Sequence, residues 1–590
     1  MPHSMHRFGP ARAGDGYDFR LWSPGSAVAA LHIEGRDPIP MRALPLGHFG
    51  IHVPGVAPGA RYTLSINDGP AFPDPASMYQ PDGVHGPSEV VDVKDFPWTD
   101  QEWEGIPKHK QVFYELHIGT FTPEGTLRAA LEKLPYLKDL GVNTLELMPL
   151  ADWPGRWGWG YDHAAMWAVS RAYGRPEDLC AFVNEAHALG MAVFTDVIYN
   201  HLGPDGSYLA SFAPIFTRRH RTPWGAAINF DDMYCDGTRA FFVRNTLMWL
   251  ETYHLDGIRL DATEQIYDDS REHFLAQLAR EVQAIPGRKR YLIAEDHRNL
   301  NTVIRPLHEA GYGMDAMWVD DFHHQVRNLL AGDSKGYYAG YAHTTIEQLA
   351  TTLKQNWFYT GQYQAYWNKQ RGSSPSESSP DSVVYYIQNH DQVGNRPLGD
   401  RLHHQISEEA YRAATALLLF LPQLPLLFQG QEWAATTPFH FFSDHKPELG
   451  KKVTEGRRKD LDHLVGSGEG VPDPQDPATF LASKLRWEEI EAPAHARTLA
   501  WYKACLAARE ELDGPLEVHT FGSEAMLLRR GAHTLALSLG PDQKVPLPEG
   551  SIVLDSSDPT FTPESASHSV GDGQVHFSAP GAVLFKLDDE

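Results

Sequence analysis

Eight short apolar runs, with helical patterns between several of them, constrain the fold of this chain more than any other feature. They lie at 112–121, 144–150, 191–199, 257–261, 290–295, 314–319, 383–389 and 424–429. Apolar runs of this length read as parallel strands buried on both faces. Between them, Leu127, Leu131, Leu134, Leu137 and Leu140 recur at spacings of three and four, with Gly141 as the stop. Pro176 suits the first turn of a helix whose Leu179, Phe182, Val183 and Ala186 share a face. Ser270 is a candidate N-cap for a helix carrying Phe274, Leu278 and Val282. Eight strands separated by helices are the count of a closed (β/α)8 TIM-type barrel, although a doubly wound open sheet has the same local pattern.

The 590 residues exceed one ordinary core and divide into three expected units. Residues 1–95 alternate in Tyr17–Trp22 and Arg61–Ile66, with a turn signal at Asn67-Asp68-Gly69, as in a small β-sandwich. Residues 96–512 hold the barrel, with insertions at 200–240 and 333–382. Residues 513–590 alternate again, for example in Ala525–Leu528 and Thr534–Leu537, and read as a C-terminal β-sandwich. In the second insertion, Trp357, Phe358, Tyr359, Tyr363, Tyr366 and Trp367 read as packing more than as a platform for a ligand.

A formal charge of −25 disfavours nucleic acid or an anionic membrane as partner and suits a neutral ligand. Three cysteines without paired spacing form neither a disulfide framework nor a zinc site, so a reducing, cytoplasmic setting is expected. Met1–Phe19 shows no apolar leader pattern. The apolar stretch 413–428 is broken by Pro422, Gln423 and Pro425 and is too short to span a bilayer.

Three of the runs end in an acid: Gly257-Ile258-Arg259-Leu260-Asp261, Leu292-Ile293-Ala294-Glu295 and Tyr386-Ile387-Gln388-Asn389-His390-Asp391. Carboxylates at the C-terminal ends of barrel strands are where this fold keeps its chemistry. Retaining glycoside cleavage needs a carboxylate nucleophile and a protonated acid roughly 5 Å apart. Neighbouring strands about 4.8 Å apart can supply that pair from Asp261 and Glu295. Arg259, two residues before Asp261, shares its face and as a fixed cation favours its ionised form. Asp196 reads as an acid that orients Arg259 more than as a sugar contact.

Four segments in order, Asp196-Val197-Ile198-Tyr199-Asn200-His201, Gly257–Asp261, Ala294-Glu295-Asp296 and Asn389-His390-Asp391, resemble the signature regions of the α-amylase superfamily. The resemblance covers about 110–510. It implies Asp261 as nucleophile, Glu295 as general acid/base and Asp391 as a third acid that holds sugar hydroxyls and distorts the ring. It further implies that Arg259, His201 and His390 contact the sugar. Tyr161 of Gly158-Trp159-Gly160-Tyr161-Asp162 resembles the tyrosine beneath it, with Asp162 beside it in the same motif.

Two departures bear on the substrate. Where many superfamily members continue the nucleophile region with Lys-His, this chain has Glu264-Gln265, which fits a changed leaving sugar and removes a position linked to calcium. No cofactor and no metal are expected, although Asn200 matches a residue that amylases use for calcium. Phe322-His323-His324-Gln325, Gly336-Tyr337-Tyr338 and Gln388–Arg396 resemble the branch of the superfamily that hydrolyses the α-1,4 bond beside a terminal trehalose of an α-glucan chain. The N-terminal unit then resembles a carbohydrate module. Branching enzymes and debranching hydrolases share the fold and acids. An inactive glucan-binding protein usually lacks one of the acids, and all three are present here.

Overall fold

The computed structural model describes residues 6–376, 378–465, 470–563 and 568–587, with backbone only at 462–465. The first five residues of the stretch read for a leader lie outside them. At its centre, eight parallel strands close on themselves: β1 (Phe113–Leu116), β2 (Thr144–Leu147), β3 (Ala192–Val197), β4 (Gly257–Leu260), β5 (Tyr291–Glu295), β6 (Ala316–Trp318), β7 (Val383–Tyr386) and β8 (Leu424–Phe428). The expected barrel is therefore present, and each strand pairs with its neighbours in sequence, β8 with β1. The first strand is shorter than the run 112–121, because Ile118–Phe121 turns helical.

Side-chain alternation divides the barrel interior into layers. Phe113, Phe194, Tyr291, Ile293, Trp318 and Leu426 pack together inside it. By the same two-residue period, Glu115, Glu146, Asp196, Arg259 and Glu295 share the inward face. Apolar packing thus fills the lower barrel and charge collects toward the C-terminal ends. Gly257 stands opposite Phe194 in register, and a Cβ there would lie 2.0 Å from the Phe194 ring. Only glycine lets that ring lie under β4.

The helices used below are α1 (Pro176–Ala188), α2 (Cys235–Glu251), α3 (Phe274–Gln283), α4 (Asp320–Ala331), α5 (Glu408–Phe420), α6 (Pro447–Val465) and α7 (Pro493–Arg509). Pro176 opens α1 as expected. Ser270 does not cap α3; His273 does, accepting Leu275 N–H at 3.2 Å. The leucine series of 127–140 is two helices, Leu127–Leu131 and Leu134–Leu140, because Pro135 cannot continue a hydrogen-bonded turn. Gly141 ends the second at φ 104°, a conformation that favours glycine.

Two four-stranded sheets face each other before the barrel and enclose Phe19, Leu21, Leu31, Phe49, Tyr62 and Leu64. Phe212, from the insertion after β3, completes that core, and Ser23 Oγ donates to its carbonyl at 2.6 Å. After α7, a five-stranded and a three-stranded sheet pack around Ala536, Val545, Val575, Phe577 and Phe585. In the second insertion Trp357 and Tyr359 are buried, whereas Tyr363, Tyr366 and Trp367 are exposed. Among the described residues no helix is long and apolar enough to cross a membrane.

Beyond β8, Glu432 is fully buried, and its Oε1 accepts from Tyr114 at 2.9 Å and Tyr136 at 3.0 Å. Burial lifts its pKa from the ordinary 4.5 to about 7 against the pull of these donors and Arg401. The folded state therefore binds a proton that the unfolded chain has released, so this group's stabilising contribution is lost as pH rises from 4.5 to about 7. Glu432→Gln, neutral throughout, should lessen the fall in melting temperature over that window; thermal melts at both ends that fall as in the parent would refute it.

Candidate active site

Arg259 is fully buried and joins three acids. Its Nη1 donates to Asp196 Oδ2 at 2.5 Å and to Asp261 Oδ1 at 3.1 Å, and its Nη2 lies 2.7 Å from Glu295 Oε2. The Trp318 ring lies beneath the guanidinium, 4.4 Å from centroid to carbon, so a cation–π contact replaces part of the lost hydration. Register places Leu260 beside Ala294, and hence Asp261 and Glu295 at adjacent strand ends.

The two acids have different surroundings. Asp261 accepts from Arg259 and, at 3.0 Å, from Asn200 Nδ2. Glu295 Oε2 accepts the Ala262 N–H at 2.9 Å. Ala262 has φ 39°, a left-handed conformation unusual for alanine, which turns the chain after Asp261 and aims this N–H across the site. Burial raises the Glu295 pKa well above 4.5; Arg259 opposes the rise, and the charges of Asp261 and Asp391 add to it. The Asp196 pKa rises to about 7, because burial outweighs Arg259.

The third acid stands at the start of the helical turn His390–Gly394. Asn395 Nδ2 donates to Asp391 Oδ1 at 2.9 Å, and Arg457 of α6 donates to Asn395 Oδ1 at 2.6 Å. His390 is clamped by Glu115, which accepts its backbone N–H at 2.8 Å and contacts its Nδ1. Its Nε2 is 2.9 Å from the Tyr161 hydroxyl, whose own proton goes to Asp196 at 2.7 Å. This network calls for protons on both His390 nitrogens. The raised His390 pKa agrees: burial pulls it down, but Glu115 and Asp391 outweigh burial.

Comparison with known proteins supplies the family. The alpha amylase catalytic-domain family model matches residues 86–213. Malto-oligosyltrehalose trehalohydrolase of Deinococcus radiodurans is 50% identical over 508 residues, covering 85% of this chain and 82% of its own. The protein of that name from Arthrobacter ramosus is 37% identical and covers 97% of this chain and 99% of its own. The chain belongs to the malto-oligosyltrehalose trehalohydrolase family. A solved structure from Salmonella typhimurium superposes on this family member with TM-score 0.89 at 35% identity, covering 98% of this chain and 99% of its own. A pullulanase solved with maltotetraose has TM-score 0.74 at 16% identity, covers 99% of this chain and 88% of its own, and shares the fold.

Within this trehalohydrolase-family chain, Asp261, Glu295, Arg259, Tyr161 and His390 form one connected cluster, and Asp391 joins it through His390 at 3.6 Å. His201 contacts Asn200 Oδ1 through Nδ1, lies 3.2 Å from the Tyr161 carbonyl through Nε2, and has one face covered by Trp224, with centroids 4.5 Å apart. Asn200, the position linked to calcium in amylases, bonds Asp261 and His201. Asp162 Oδ2 lies 3.2 Å from His445 Nε2. Glu264 lies in the turn after the fourth strand, 3.3 Å from His297 Nδ1, with Gln265 Nε2 3.5 Å from its Oε1. His297 in turn stacks on Trp367. His117 braces the first strand through Tyr173 and the Gly158 carbonyl.

Sequence reasoning passed over Glu115, Trp224, His297 and Arg457. A lone acid inside the apolar run Phe113–Leu116 was the visible sign of Glu115; Trp224 in a hairpin, His297 two residues beyond Glu295 and Arg457 in α6 have no local pattern. Glu115→Gln removes one of the two charges that offset burial, so the His390 pKa should fall from its value in the parent. Imidazole titration by NMR checks this, and an unchanged His390 would contradict it.

Proposed function

We propose that the chain is a retaining α-glucan hydrolase that cleaves the α-1,4 bond beside the terminal trehalose of maltooligosyltrehalose. The products are trehalose and a shortened maltooligosaccharide. One observation carries the chemistry: Arg259 bridges Asp261 and Glu295 at adjacent strand ends, and burial with the charges of Asp261 and Asp391 pushes Glu295 toward its protonated form. The names of the close relatives support the substrate.

In this reading, Asp261 attacks the anomeric carbon while Glu295 gives its proton to the departing trehalose oxygen, through an oxocarbenium-like transition state. The resulting glycosyl-Asp261 ester then meets water. Glu295, now a carboxylate, takes the water proton as its oxygen bonds to the anomeric carbon, and Asp261 is released with the α configuration retained. Asp391 and His390 hold sugar hydroxyls, with Tyr161 against the sugar face. Glu264 and Gln265, three and four residues after Asp261, and His297, two after Glu295, are read as contacts of the leaving trehalose. The three free cysteines support a reducing, cytoplasmic setting.

The test is to incubate the protein with maltooligosyltrehalose and, separately, with maltooligosaccharides and amylose. Free trehalose should be the main product of the first; new α-1,6 linkages from amylose would instead mark a branching enzyme. Asp261→Ala should lower trehalose release by about a thousandfold or more, roughly 4 kcal/mol in barrier. Activity surviving within a few-fold would remove Asp261 as nucleophile.

A further inference from the structure

At the end of the barrel opposite the carboxylates, a cavity of about 730 Å³ opens between the starts of the strands, α7 and the C-terminal domain. His109, Lys110, Arg509 and Arg530 line it, with Asp381, Glu510 and Asp513 as its acids. Arg509, the last residue of α7, donates Nη1 to the Leu419 and Leu421 carbonyls at 2.8 and 2.5 Å, and Nη2 to the Gln423 carbonyl at 2.9 Å. Arg530 donates Nη1 to the Phe420 carbonyl at 2.9 Å and Nη2 to the Leu512 carbonyl at 3.3 Å.

Every one of these acceptors is neutral. Most lie at the C-terminus of α5, whose dipole offers about half a negative charge against two full positive ones. The chain has 76 acids to 51 lysines and arginines, so acids to pair with are not scarce. Yet the described ion pairs leave both guanidiniums out: Lys108 engages Asp381 at 3.4 Å, while Glu510 and Asp513 are exposed. Arg530 is 9% exposed, and its Nε–H finds no partner among the described residues. Burial, together with the charge of Arg530, lowers the Arg509 pKa to about 9. Burial also lowers that of Arg530, with Asp513 opposing.

We propose that this cavity binds the phosphoryl group of a small phosphorylated molecule, with Arg530 and Arg509 as its donors and Lys110 and His109 at its rim. Guanidinium groups match phosphate oxygens in fork geometry, and an anion here would balance the unpaired charge. Inorganic phosphate and a sugar phosphate share this chemistry. The cavity has room beyond the phosphoryl group, and its rim acids could accept sugar hydroxyls.

Calorimetric titration of the full chain with inorganic phosphate and with glucose 6-phosphate, at ionic strength matched with chloride, tests the site. Saturable binding in the millimolar range or tighter is expected, weakened about tenfold or more in Arg530→Gln. Tighter binding of glucose 6-phosphate identifies the sugar phosphate as the source, and the reverse identifies inorganic phosphate; either supports the site. If Arg530→Gln fails to fold, the exposed Lys110→Gln should weaken binding about threefold. No saturable binding to the parent chain, or unchanged binding in the folded variants, overturns the proposal.

Discussion

A single buried guanidinium holds the top of this barrel in order. Removing a charge from water costs several kcal/mol unless partners replace the hydration. Arg259 obtains that replacement from Asp196, Asp261 and Glu295, with the Trp318 ring beneath. The same contacts that make the cation tolerable fix the acids around it. Because Arg259 is two residues before Asp261 on a strand, backbone periodicity places both on one face. Gly257, two residues earlier still, leaves room for Phe194 below.

The surrounding acids have unequal positions. Tyr161 ties Asp196 to His390, and His390 is tied to Glu115 on the first strand. The network therefore crosses the barrel mouth. Within it, burial and the charges of Asp261 and Asp391 push Glu295 toward its protonated form against the pull of Arg259. The proposed division of labour between a nucleophile and an acid rests on that raised pKa and on the two acids meeting across Arg259 at adjacent strand ends.

The strands were legible because parallel strands buried on both faces need unbroken apolar runs, and an acid at the end of such a run stands out. The link between Asp196 and Arg259 was also readable, since both fall on inward positions of adjacent strands. Contacts between distant loops were not. Trp224 covers His201 from a hairpin tip, and Arg457 reaches Asn395 from a helix 62 residues later. Neither leaves a periodic trace in the chain. Ser270 was a plausible cap by residue type, yet His273 stands where α3 begins. Which nitrogen or carboxylate oxygen is left for a sugar is decided by such contacts, as His201 and Asp162 illustrate.

The central claim, that Asp261 forms a covalent bond to the sugar, is open to direct observation. Glu295→Gln retains the hydrogen-bonding shape of the site but cannot activate water, so with a glucosyl fluoride, whose leaving group needs no proton, the ester should accumulate. Peptide mass spectrometry should then find the glucosyl adduct on the peptide containing Asp261. An adduct on another residue, or turnover with inverted product and no adduct, would contradict the account.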